Sequence, residues 1–400
     1  MHIDVLKYFL LNIPNPPTKL PRALPFLPPP LTGREVRRHR AKLMRPVVLL
    51  LDGGIGHELK RRGVKPELEG LGAIDDDLFV ASALACLTNA AEVIEIHARY
   101  IASGCDVITT NSFVMTPHNL RQLDPVEVDL TTLVEAAIDC ALEARKREGC
   151  ERSVRIAGSI PGPLEESYLD ATSTDDATAI AIYRELISIH ASRVDLLLFE
   201  TVASVRELTN ILDALLRFSP STLPPVWISM TVEDVADVSP NRGVRLRSGD
   251  ELRAAARCVV ASGACVEALL INCSAPTSCL LALEELQGLR TAGGQGTPLL
   301  LGAYANGFRT STSEWLAAAA EGGEQPHDRF VKANPGDYDE EGLVTPAAYA
   351  RHVGAWLARV EGLAIVGGCC GTSPDHMREL ARLQKEERCV AAGVAADRGS

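Results

Sequence analysis

The chain has 400 residues, of which 46% are hydrophobic and 23% charged, and it carries a net charge of −12. That composition can bury a full core, which excludes a wholly disordered protein. The acidic balance argues against broad nucleic-acid binding, which needs a Lys/Arg surplus to neutralise phosphates.

Residues 1–44 read as a leader separate from the rest. Eight prolines fall between Pro14 and Pro30, so neither a helix nor a central strand persists there. A basic patch follows, with Arg34, Arg37, Arg38, Arg40 and Lys42. The first serine is Ser82, whereas a transit peptide is Ser-rich, so the expectation is a flexible leader and a cytoplasmic protein. No stretch reaches the ~18 apolar residues of a membrane span.

From Arg45 onward, short apolar runs alternate with helical patterns. The runs are Val47–Asp52, Val107–Asn111, Val154–Ser159, Leu196–Glu200, Val226–Met230, Ala268–Cys273, Leu299–Tyr304 and Leu363–Gly368. Most are rich in Val, Ile and Leu and apolar on both faces, the pattern of a parallel sheet covered by helices. Helices are predicted over Leu133–Arg147, Ser204–Phe218 and Asp250–Ala261 from apolar residues at three- and four-residue spacing. Thr345-Pro346 and Ser373-Pro374 each place a capping hydroxyl before a proline suited to the first helical turn. Eight strands in a repeated βα order close naturally as a single (β/α)8 TIM barrel over residues 45–386, with 387–400 as a flexible tail. A doubly wound open sheet is the alternative. The stretches around Glu67–Asp77 and Glu321–Gly342 are expected as elaborated loops on the C-terminal face, the second a possible docking loop.

A TIM barrel builds its active site from the C-terminal ends of its strands. Those ends carry Asp52, Glu200, Asn272 with Cys273, and Cys369 with Cys370. Three thiols from two even-numbered strands suit a catalytic zinc ion with one open position, and thiolates suit zinc. A lone thiol at a strand end is more often a small buried hydrophobe, whereas for the adjacent, glycine-flanked pair the spacing suits either reading equally. The chain has eleven cysteines and no secretory signal, so the others read as reduced and structural. Glu200 closes an apolar run, where a buried carboxylate needs a cation or donors. His57, His97, His118, His190 and His376 show no H-x-x-x-H pairing and read as surface or core residues.

Taken in order, Leu51-Asp52-Gly53-Gly54, Thr109-Thr110-Asn111-Ser112-Phe113, Gly158-Ser159-Ile160-Pro161-Gly162-Pro163, Glu200-Thr201, Ile271-Asn272-Cys273 and Gly367-Gly368-Cys369-Cys370-Gly371-Thr372-Ser373-Pro374 resemble the homocysteine S-methyltransferase family. The resemblance runs from about Arg45 to Leu383. It implies a zinc barrel, with Cys273, Cys369 and Cys370 as ligands, that moves a methyl group onto the sulfur of homocysteine to give methionine. It also implies that Asp52 and Glu200 hold the α-ammonium group and that Asn272 orients the substrate or supports the metal site. Members that use S-methylmethionine often carry an aromatic-Gln pair where this chain has Phe113-Val114. Betaine users usually place Tyr after the Glu, and here it is Thr201. The expected donor is therefore S-methylmethionine or S-adenosylmethionine, ahead of betaine or a corrinoid partner protein. A non-catalytic zinc-thiolate sensor is the competing class. No nucleic-acid or membrane partner is expected, and the sequence does not fix an oligomeric state.

Overall fold

The computed structural model describes residues 48–68, 72–73, 78–120, 128–162, 174–234, 243–289, 299–309 and 336–396. The expected leader 1–44, most of the 321–342 loop and residues 397–400 lie outside them.

All eight expected strands form: β1 (Leu49–Leu50), β2 (Val107–Thr109), β3 (Arg155–Ile160), β4 (Leu196–Val202), β5 (Val226–Met230), β6 (Val266–Asn272), β7 (Leu300–Ala305) and β8 (Leu363–Gly368). Every pairing among these eight strands is parallel, and each neighbours the next in sequence from β2 through to β8, which returns to β1. A parallel bridge from Leu51 to Val107 joins β1 to β2 and completes the ring. An open doubly wound sheet would reverse its strand order partway; this one does not. The fold is a (β/α)8 TIM barrel.

The first two strands are shorter than the apolar runs that encode them. Toward β2 the main-chain ladder ends with Asp52 N on Val107 O, and the next N–H, that of Thr109, goes to the Asp52 carboxylate at 2.8 Å. β4 is longer than its run. It passes through Thr201 at φ +64° and shifts register between Phe199 and Val202, a bulge at the point where Glu200 leaves the sheet.

Two packed layers result. Outside the ring, the helices bury an extended aliphatic core against the sheet. Inside, Leu51, Val107, Leu198, Trp227, Leu270 and Ile365 fill the barrel. Its N-terminal end is closed by Trp227, whose indole N–H donates to Glu267 at 2.7 Å while the Arg155 guanidinium lies 5.3 Å from the ring centre. Two helix-to-strand joints share a device at this end. Asp106 accepts Leu50 N at 2.8 Å and Asp195 accepts Ile156 N at 2.7 Å, so each carboxylate pins the preceding strand.

Helix starts follow the sequence with one difference. Thr345 caps helix Pro346–Arg359 by accepting from Ala348 N. The Ser373 hydroxyl instead meets His376 Nδ1 at 2.9 Å, and His376 Nε2 lies 2.7 Å from Val344 O, tying the last helix to the loop that precedes helix Pro346–Arg359. That helix runs Pro374–Ala396, so the backbone of 387–396, expected as tail, is helical.

Candidate metal centre

The C-terminal ends of the strands surround a cavity of about 150 Å³. All six residues singled out from the sequence, Asp52, Glu200, Asn272, Cys273, Cys369 and Cys370, line it.

Cys273 leaves β6 and the Cys369-Cys370 pair leaves β8, and their sulfurs all lie within 4.8 Å of one another. Cys273 Sγ is 2.8 Å from Cys369 Sγ and 3.9 Å from Cys370 Sγ. The local backbone explains the convergence. Cys273 sits at φ +48°, a left-handed conformation that turns its side chain out of the strand's alternation. On the other side, a Cβ at Gly54 would come 2.9 Å from Cys369 O, and one at Gly367 would come 2.7 Å from Leu51 Cβ. The glycines thus let β1 and the Cys-Cys turn pack backbone to backbone. Crowding against Cys273 and burial hold the Cys369 and Cys370 thiols above their ordinary range. Among the described residues no Lys or Arg lines the cavity. Three crowded sulfurs are the donor set of a soft divalent ion, and the residues fit zinc. Among the described residues there is no second such cluster.

Two carboxylates face the same space. Asp52 is 1% exposed and takes both the N–H of Thr109 and its hydroxyl, the latter at 3.0 Å. Burial drives its carboxyl well above the usual range, Thr109 offsets part of that, and Glu200 adds to it. Glu200 accepts from the Ser159 hydroxyl and, at 2.9 Å, from the Tyr304 hydroxyl. Burial pushes it up to about 7 against those two donors. Both carboxylates therefore sit where a cationic group would relieve them.

Asn272 does something more specific than its position suggested. Its Oδ1 accepts from Thr201 N at 3.0 Å and from Ser229 Oγ at 2.8 Å, while its Nδ2 donates to Thr201 Oγ1 at 2.9 Å. It holds the left-handed Thr201, and through it the direction of Glu200. Several cavity residues carried no clear sequence signal. Thr109 and Tyr304 line the cavity and Ser159 supports Glu200 from beside it; all three matter only through neighbours on adjacent strands, although Thr109 and Ser159 lie within quoted stretches. His57, read as surface or core, lines the cavity with its ring 5.2 Å from that of Phe308, and burial lowers it to about 4, which keeps it neutral. His97 and His190 are fully buried, as expected of core histidines.

The comparisons with known proteins agree with this geometry. The family model described as homocysteine S-methyltransferase matches residues 49–383. Homocysteine S-methyltransferase 4 of Zea mays is 26% identical over 84% of this chain and 89% of its own length. The homocysteine S-methyltransferase of Escherichia coli is likewise 26% identical, over 85% of this chain and 96% of its own. A selenocysteine methyltransferase of Astragalus bisulcatus is 25% identical over 84% and 91%. The fold matches that of the metallated Escherichia coli homocysteine methyltransferase MmuM with a TM-score of 0.61 at 22% identity, covering 86% of this chain and 99% of that one. With the matched span running from β1 into the last helix, the chain belongs to the homocysteine S-methyltransferase family.

Proposed function

We propose that this protein transfers a methyl group from a sulfonium donor, S-methylmethionine or S-adenosylmethionine, to the thiol of homocysteine. The observation that carries the reading is one cavity holding three converging thiols beside two buried carboxylates. Cys273, Cys369 and Cys370 would hold zinc, which supplies the Lewis acidity that lowers the substrate thiol from its ordinary pKa of ~8.5.

The chain's own residues do the rest. Asp52 and Glu200 bind the α-ammonium group, an ion pair that offsets the desolvation cost both carboxylates bear on burial. Thr109 orients the first of them; Ser159 and Tyr304 orient the second. Asn272 fixes the bulge that aims Glu200. In the transfer, the acceptor sulfur, its thiol proton released to solvent, forms a bond to the methyl carbon. The donor's S–CH3 bond breaks, and its electron pair stays on the donor sulfur, leaving a neutral thioether. Because the donor loses its positive charge in that step, a cavity that excludes water favours it, and alignment of the three atoms supplies much of the rate.

The test is methionine formation from homocysteine with S-methylmethionine, S-adenosylmethionine and betaine in parallel, on wild-type protein and on Cys273→Ala, with zinc content measured for both. The expected result is turnover with a sulfonium donor and stoichiometric zinc, both lost in Cys273→Ala. Turnover with betaine alone would overturn the donor assignment. No turnover with any donor, on protein that holds zinc, would favour the sensor.

A further inference from the structure

We propose that Arg247 and Asp234 form a positioning clamp that holds Cys273 in its ligating conformation. This rests on the reading of Cys273 as a metal ligand.

Cys273 is the one candidate ligand in a left-handed backbone conformation, at φ +48°. A residue with a Cβ persists in that region only where its surroundings impose it. Those surroundings are specific. The Cys273 carbonyl accepts from an Arg247 guanidinium N–H at 3.2 Å and from the Thr231 hydroxyl at 3.4 Å. The next residue, Ser274, accepts from Val232 N through its hydroxyl at 3.0 Å, and the one after, Ala275, donates its N–H to Asp234 at 3.0 Å. Three consecutive residues beyond β6 are thus gripped by one short segment that continues β5 and by the arginine packed on it.

The grip is itself braced. Arg247 pairs with Asp234 at 3.3 Å, the two side chains only 4% and 6% exposed, and its Nε donates to Thr231 at 3.0 Å. The segments that carry them are laced by an antiparallel bridge between Val232 and Leu246. Buried ion pairs contribute little net stability compared with apolar residues of the same volume, so stability alone is a weak reason to place one here. Its position supplies a better one, because the guanidinium fork meets Thr231, Asp234 and Cys273 O together. A single ammonium cannot reproduce that geometry. Cys369 and Cys370 are held in another way, by backbone bonds from Cys369 N to Ala305 O and from Gly307 N to Cys370 O, in a glycine-flanked turn. The centre therefore has one ligand set by an ion-pair clamp and two set by main chain.

The experiment measures zinc affinity by chelator competition, and the absorption of the cobalt-substituted site, on the full-length protein. The variants are Arg247→Lys, which keeps the charge but loses the fork, and Asp234→Asn/Arg247→Met, which removes both charges. Cys273→Ala serves as the control: loss of zinc there, with stoichiometric zinc in wild type, establishes the site independently of the clamp. Zinc retained by Cys273→Ala overturns the ligand assignment and the clamp with it. The clamp predicts zinc binding weakened about 10–100-fold in both variants, with a changed thiolate-to-cobalt absorption, while far-UV circular dichroism stays that of a folded barrel. A folded variant of either kind with wild-type zinc affinity and an unchanged cobalt spectrum overturns it. Should the double variant not fold, Arg247→Lys decides alone.

Discussion

Glu200 shows what a single side chain costs this barrel. Its carboxyl is pushed up to about 7 from an ordinary 4.5 by burial, and the Ser159 and Tyr304 hydroxyls only partly oppose that. Between those two values the folded protein keeps a proton that the unfolded chain has released. The raised group therefore favours folding at low pH, and stability falls as pH climbs from about 4.5 through about 7. Metal-free Glu200→Gln lacks this loss, so it should match the wild type near pH 5 and exceed it at pH 8 by on the order of 3 kcal/mol. Urea denaturation at the two pH values checks this, and a variant less stable at pH 8 would refute it. The same substitution should weaken homocysteine binding. At this scale the sequence exposed every described residue that presents a carboxylate or a sulfur to the cavity, because an acid or a thiol stands out at the end of an apolar run. It did not expose the roles of Thr109, Tyr304 or Arg247, whose work is done across strands that only the closed ring brings together. It placed Asn272 in the site, but not in its role of bonding Thr201.

The elements tell a similar story about where local pattern suffices. Eight apolar runs became eight strands, since a parallel barrel buries both faces of each strand and leaves a dense signal. Their ends were less legible wherever a side chain replaced the ladder, as at Asp52, or a bulge prolonged it, as at Thr201. Helix Val205–Leu215, which follows that bulge, is fixed with unusual care. Ser204 accepts from Glu207 N at 3.0 Å, and Glu207 reaches back to Ala203 N at 2.8 Å while taking a bond from Tyr183 at 3.2 Å. Removing the cap with Ser204→Ala leaves a buried N–H unpaired, and the expected loss is about 1–2 kcal/mol, read as a shift in urea midpoint with unchanged slope. An unchanged midpoint would mean that the cap carries no stability.

For the whole molecule, ring closure is the decisive fact. The bridge from Leu51 to Val107 completes the barrel with β1 starting at Leu49, and the family match begins at the same residue. A chain starting at Arg45 should therefore retain the melting temperature and zinc stoichiometry of the full protein; loss of either would show that residues 1–44 take part in folding. Among the described residues, no helix is long and apolar enough to cross a membrane.

The Trp227 closure at the N-terminal end has a consequence for traffic. With an indole, a guanidinium and a carboxylate packed together at the far end, acceptor and donor in the proposed transfer would both come and go through the cavity at the C-terminal face. That one face would have to serve as entrance for two molecules and exit for two more.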